Sequence, residues 1–185
     1  MFKPHKPSDY PSLLLYILDE THITVTLSTA LAILFTRNAH VVWFAIGALN
    51  SSLSAKVLKN LIRNPRPPPP PPTSSVPSKI RPKRTYGMPS THSTALTFYF
   101  IYLIPFVTLL PSPYSLLAGL GVGGYWILGL WSRKELGYHT WEQVLGGGLY
   151  GTLLALGWKS LYKNYPVIGN SIQGLVDAVW SKVFG

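Results

Sequence analysis

The sequence predicts an all-α fold: a polytopic membrane helix bundle of about five spans, with short interfacial helices beside it. Three observations predict this. Hydrophobic residues are 47% of the 185-residue chain and charged residues only 12%, against about 25% charge in an ordinary soluble domain. Mean hydropathy is positive, at +0.22. Apolar stretches recur along the chain, broken by turn residues and charges. The length suits one domain, residues 1–185, with a proline-rich loop at 63–91.

Taken in order, the first apolar stretch runs from Ile23 to Phe35 and stops at Arg37-Asn38. It is short for a span, which needs roughly 17–25 residues. Asp19 and Glu20 separate it from Leu13–Leu18, so 10–20 reads as an interfacial helix and 22–36 as a short span. The second stretch, Val41–Ile62, carries small polar residues suited to close packing, and Lys56 and Lys59, which must reach an interface or a polar cavity. Residues 63–91 break the periodicity with a run of six prolines, so polyproline II is expected over 68–85. The third stretch is Thr94–Leu110, followed by a Pro-Ser-Pro turn. The fourth is Tyr114–Trp131 and the fifth Val144–Tyr162. A last amphipathic helix, Ile172–Phe184, is expected to lie along the interface.

The formal net charge is +10. That suits an anionic partner: lipid headgroups, a phosphate substrate or nucleic acid. The apolar segments make nucleic acid the weakest of these, and no nucleic-acid role is expected. Cysteine is absent, so thiolate chemistry and disulfides are excluded. The polar, proline-rich start MFKPHKPSDYPS does not read as a secretory signal.

If the spans alternate sides, the second ends near Lys59 and the third begins near His92. The fourth then ends near Ser132-Arg133, and the fifth begins near His139. These four ends fall on one membrane face, so Lys59, Arg66, Ser90, His92, Arg133 and His139 can converge there. Lys59, Arg66 and Arg133 can hold phosphoryl oxygens. Ser90 occupies an N-cap position, and a helix start binds anions through its backbone N–H groups. Two histidines supply one nucleophile and one general acid near neutral pH. No Asp/His/Glu grouping reads as a metal site, so phosphoryl transfer without metal or other cofactor is expected. Taken singly, each cation reads as a juxtamembrane charge and each histidine as a helix-end or interfacial residue. Their joint placement on one face carries the functional reading. His5, His22 and His40 lack such company.

These residues resemble the three signatures of the type 2 phosphatidic acid phosphatase superfamily, which includes vanadium haloperoxidases. KNLIRNPRP matches Lys-x6-Arg-Pro at Lys59, Arg66 and Pro67. Pro89-Ser90-Thr91-His92 matches Pro-Ser-Gly-His, with Thr91 in the Gly position. SRKELGYHTWEQ matches Ser-Arg-x5-His-x3-Asp at Ser132, Arg133 and His139, with Gln143 in the Asp position. The likeness covers about residues 40–160. Gln143 lies one helical turn beyond His139; its oxygen can accept from the imidazole but cannot offset an imidazolium charge. Glu142 is a second candidate for that charge. YGMPSTHS and GYHTWEQV are similar to the dolichyldiphosphatase branch, which carries His-x-x-x-Gln.

The resemblance implies hydrolysis of a polyisoprenyl (dolichyl) diphosphate to the monophosphate, recycling the carrier for N-glycosylation in the endoplasmic reticulum membrane. It implies His139 as nucleophile, His92 as general acid and base, and Gln143 as partner of His139. Lys59, Arg66, Ser90, Thr91 and Arg133 would bind phosphate. It also implies a lumenal active face. The non-signature loop cations Arg63, Lys79, Arg81, Lys83 and Arg84 point instead to the cytoplasm by the positive-inside rule. Other readings are a phosphatase of phosphatidate, a sphingoid phosphate or another polyisoprenyl phosphate, a non-catalytic lipid-phosphate binder, and a structural protein whose proline run recruits aromatic-lined domains.

Overall fold

The computed structural model describes residues 6–68 and 85–184, and all regular structure among them is helical. Of the polyproline II segment expected at 68–85, residues 69–84, with the loop cations from Lys79 to Arg84, lie outside the described residues, as does His5. After a short 3-10 turn at Pro7–Asp9 come α1 (Leu13–Asp19), α2 (Thr21–Thr36), α3 (Ala39–Ile62) and α4 (Thr91–Val107). These are followed by α5 (Tyr114–Glu135), α6 (Trp141–Asn164) and α7 (Pro166–Phe184).

The five expected spans correspond to α2–α6. By length and composition, α3 and α5 can each cross a membrane, and α1 with α2, bent by 59°, makes a third candidate; α4 is apolar but shorter. Several glycines and the polar residues Gln143, Lys159 and Lys163 lower the hydropathy of α6, yet it packs against α3, α4, α5 and α7. Long apolar side chains such as Leu49, Leu53, Leu120, Leu149 and Leu153 face outward. Without a hydrocarbon solvent around them, that much exposed apolar surface would drive association.

Glycine brings α4 and α6 together. A Cβ at Gly147 would lie 2.6 Å from the Ser90 carbonyl oxygen, and one at Gly151 would collide with that of Thr94. The two glycines stand one turn apart, so they open a backbone-width groove into which α4 settles. Here α4 makes its most extensive contact, fixing the relative position of the histidine-bearing helix starts.

The structure adds a detail to the segment 10–20 and corrects one boundary. One face of α1 is docked: Leu15 and Leu18 are buried, and Tyr10, Leu15, Leu136 and Tyr138 form one cluster against the end of α5. The last helix begins not at Ile172 but at Pro166, where proline suits the first helical turn. It docks through Gln173, which accepts from Ala39 N (2.9 Å) and donates to the Arg37 carbonyl (3.1 Å).

Candidate active site

The C-terminus of α3, the N-terminus of α4, the C-terminus of α5 and the N-terminus of α6 meet at one end of the bundle. Between them lies a cavity of about 330 Å³ lined by Lys56, Lys59, Asn60, Arg66, Thr85, Thr91, His92, Arg133 and His139. Local sequence sets each of these ends. Arg63 adopts a left-handed φ of 55° and terminates α3, which turns Asn64-Pro65-Arg66 toward the cavity. Ser90 caps α4, accepting from Ser93 N at 3.4 Å. Thr140 and Gln143 form a capping box that starts α6.

His139 sits in the α5–α6 loop and is 4% exposed. Its backbone N–H donates to the Arg133 carbonyl at 3.2 Å. Arg66 Nη1 donates to its Nε2 at 3.1 Å. Because arginine is only ever a donor, Nε2 holds the lone pair and Nδ1 carries the proton. Gln143 agrees independently. Its Nε2 donates to Asn64 Oδ1 (2.5 Å) and the Pro65 carbonyl (2.7 Å), so its Oε1 is the atom that accepts from His139 Nδ1, at 3.2 Å. Two separate networks thus assign one tautomer. Burial, then the charges of Arg66 and Lys59, push the His139 pKa down to about 3. The imidazole is neutral at physiological pH.

Gln143 is therefore more than a substitute for a carboxylate. An aspartate could accept from the imidazole but could not donate to Asn64 and Pro65. Gly87 makes room for it, since a Cβ there would collide with the Gln143 amide. Ser90 N donates to the Gln143 carbonyl at 3.1 Å, so all three signature segments meet at this residue. Glu142 is exposed, and it is Gln143 that engages Nδ1.

Arg66 is half-buried and held at every nitrogen. Nε donates to the Thr85 carbonyl (2.7 Å), Nη2 to Thr85 Oγ1 (3.0 Å) and Nη1 to the Tyr138 carbonyl (2.7 Å). Burial first, and the neighbouring Arg133 charge, lower its pKa from the usual value, while Tyr138 opposes the shift. Arg133 is 1% exposed and pairs through Nη1 with Asp19 Oδ1 at 2.7 Å. Ser132 Oγ accepts from its Nε and Nη2 at 3.1 and 3.0 Å.

Of the residues singled out in the sequence, Lys59, Arg66, Thr91, His92, Arg133 and His139 share the cavity wall. Ser90 and Gln143 stand behind it. Ser90 is fully buried and its hydroxyl accepts from that of Ser93 at 3.0 Å, so it serves the helix cap rather than the lining. Lys56, which the sequence sends to an interface or a polar cavity, also lines it, and sequence reasoning missed Asn60 and Thr85. Spacing could have found the first: Asn60 lies one turn from Lys56 on α3, beside Lys59. Nothing local points to Asp19, which reaches Arg133 across 114 positions. Among the described residues, no group of three or more His, Asp or Glu is placed to hold a metal ion.

The profile of the PAP2 superfamily matches residues 40–166. The chain belongs to the PAP2 superfamily. Among its relatives, human and mouse dolichyldiphosphatase 1 are each 34% identical over 161 residues, covering 81% of this chain and 64% of theirs. Lipid phosphate phosphatase gamma of Arabidopsis thaliana is 26% identical, over 76% of this chain and 64% of that one. The chain thus spans a little under two thirds of the length of these relatives. A transmembrane PAP2-type phosphatidylglycerolphosphate phosphatase from Bacillus subtilis superposes with a TM-score of 0.63 at 21% identity, over 82% of this chain and 74% of that chain. That likeness establishes the shared fold. Within this PAP2 chain the family segment contains every cavity-lining residue, whereas Asp19 precedes it.

Proposed function

We propose that the protein is a membrane lipid phosphatase that hydrolyses a polyisoprenyl diphosphate, of the dolichyl type, to the monophosphate and inorganic phosphate. The observation that carries this reading is His139: a neutral imidazole whose Nε2 lone pair is set beside Arg66, in a cavity lined by Lys56, Lys59, Arg66 and Arg133. In the first step the Arg66 Nη1–H turns from Nε2 to an oxygen of the terminal phosphoryl group, and Nε2 attacks the phosphorus with the lone pair so released, forming an N–P bond as the bridging P–O bond breaks. His92, on the same cavity wall, gives the departing lipid phosphate its proton. Water, deprotonated by His92, then attacks the phosphohistidine and releases inorganic phosphate with His139 restored.

Arg66 is positioned to meet the oxygens of the group being transferred, since its guanidinium already lies within a hydrogen bond of the attacking atom. Lys59, Arg133 and the start of α4 at Thr91 surround the rest of the charge that develops. Lys56 sits one turn from Lys59, away from the end of α3, and extends the row of positive charge. A diphosphate, longer than a monoester by one phosphoryl group, can use that row.

An apolar groove of about 390 Å³ between α2, α4 and α5 offers room for part of the lipid tail; Leu96, Phe100, Leu103 and Val122 line it. His92 and Leu96 stand one turn apart on α4, so headgroup cavity and groove share a helix face. The similarity to dolichyldiphosphatase 1 supports the polyisoprenyl substrate. It also fits an endoplasmic reticulum location and a role in recycling the N-glycosylation carrier; several membrane crossings and a lumenal site complete the proposal.

Phosphate release from a panel of dolichyl and undecaprenyl diphosphates, phosphatidate and a sphingoid phosphate tests this directly. Preference for diphosphates that survives chelators and is abolished in His139→Ala is the expected result. Preference for a monoester would favour the second reading, a phosphatidate-type phosphatase, which the similarity to lipid phosphate phosphatase gamma supports. Binding without turnover would make the protein a lipid-phosphate binder. Glycosylation tags near Ser75 test the lumenal placement; tags left unmodified in an inserted chain would overturn it.

A further inference from the structure

We propose that Asp19, which precedes the family segment, is a positioning residue of the active site that sets both of its arginines. The inference rests on the reading of Arg66 and Arg133 as phosphate-binding groups.

Asp19 ends α1 and its side chain is 7% exposed. Oδ1 accepts from Arg133 Nη1 at 2.7 Å. Oδ2 accepts from Tyr10 OH at 2.6 Å and Tyr138 OH at 3.0 Å. Both oxygens are thus engaged, by donors from different parts of the chain. Arg133 Nη2 also donates to the Leu18 carbonyl at 3.0 Å, so α1 grips two of the three guanidinium nitrogens and Ser132 takes the third. This leaves one Nη1 hydrogen of Arg133 for the cavity, aimed by the rest of the fork.

The second link runs through Tyr138. Its hydroxyl is tied to Asp19, and its carbonyl accepts from Arg66 Nη1, the same nitrogen that donates to His139 Nε2. Holding the Tyr138 ring therefore fixes the carbonyl that aims Arg66 at His139. A buried carboxylate with these partners is more than a stray charge: deprived of its cation it would be strongly disfavoured, and Arg133 likewise. Its cost suits a group kept for geometry, and the geometry it fixes is that of the phosphate-facing donors.

The full-length protein in detergent or nanodiscs, as wild type, Asp19→Asn, Asp19→Glu, Arg133→Lys and the double variant combining Asp19→Asn with Arg133→Lys, tests this. Turnover of a dolichyl diphosphate is measured per folded molecule, alongside melting temperature and inorganic-phosphate affinity. Asp19→Asn, which keeps shape and an acceptor, is expected to lower kcat about 10- to 100-fold with KM changed less than about threefold. The double variant should be no more than about twofold worse than the weaker single one, because both changes break one unit, and Asp19→Glu should recover part of the loss.

Wild-type kcat in folded Asp19→Asn would overturn the proposal. So would losses that multiply in the double variant, or turnover that follows melting temperature alone across the set. If the wild type itself turns over none of the substrates, the functional reading fails, and phosphate affinity still decides the positioning. Asp19→Asn must then change that affinity when Arg133 is present but not when Arg133→Lys accompanies it; an equal change in both would sink it.

Discussion

Two histidines at opposite ends of the bundle, His139 and His40, are treated differently. At the cavity end, His139 is gripped through polar groups, Gln143 on one nitrogen and Arg66 on the other. At the far end of α3, His40 is held by rings. It stacks on Tyr162 with centroids 4.4 Å apart, meets Phe106 edge-on, and its Nε2 bonds the Tyr102 hydroxyl at 2.7 Å. Trp43 and Trp158 extend this nest, each indole N–H donating to the other's backbone carbonyl. One histidine has both ring nitrogens in polar hydrogen bonds at the wall of a cationic cavity. The other is half-buried among aromatic rings, with its Nε2 in a hydrogen bond. Residue type therefore predicts neither role; the surrounding charges and the presence of a cavity do.

Substitutions at the two ends test this contrast, and the greatest effect is expected at His139, the proposed nucleophile. His139→Ala should lower phosphate release by about 10⁴-fold or more, as expected for a lost nucleophile. A trapped phosphoryl group on some other residue would end the contrast at once. Arg66→Lys retains the charge but loses the fork that reaches Thr85, Tyr138 and His139 together, and a fall in kcat of about 10²-fold is expected. Gln143→Asp restores the usual family residue. It should nonetheless reduce kcat about tenfold and lower stability by about 1–3 kcal/mol, because the Asn64 and Pro65 acceptors lose their donor. Higher activity in this variant would mean that the Gln143 network is not what orients His139.

Acidification is a gentler probe of the cavity end. The His139 pKa in the folded protein, about 3, is depressed below the ordinary value near 6.5. Between these two values the unfolded chain binds the extra proton, so the stability tied to neutral His139 is complete above about pH 6.5 and declines as pH falls toward 3. Melting temperatures of wild type and His139→Gln should diverge on approach to neutrality, with the wild type losing more on acidification. The smallest effect on turnover is expected at the aromatic end. His40→Leu should leave kcat within about twofold while costing about 1–2 kcal/mol of stability through the lost stack and hydrogen bond. A large kcat loss there would erase the distinction between the two histidines.

Much of the fold is legible in the chain. The apolar stretches mark α2 to α6 within a few residues, and the misplaced starts share a cause. Apolar periodicity sets in at Thr94 and Val144. The helices themselves begin at Thr91 and Trp141, because Ser90 and the Thr140–Gln143 box supply caps that hydropathy does not register. The number of crossings is less legible, since α6 trades hydropathy for the glycines that let α4 approach. The docking of 10–20 against α5 is less legible for a related reason. In the sequence Asp19 is a polar break in an apolar run, and only a partner distant along the chain makes it a buried group.

Residue order and spacing were enough to place four helix ends, carrying Lys59, Arg66, His92, Arg133 and His139, on a shared face. Alternation of successive helices and the spacing within each segment suffice for that. They also put Gln143 one turn from His139. The packed bundle was needed to settle which His139 nitrogen carries the proton, that Gln143 ties three chain segments together, and that Asp19 anchors Arg133. Hydrogen-bond donors and acceptors choose among partners at about 3 Å, and such distances between segments over a hundred residues apart exist only after the helices have packed.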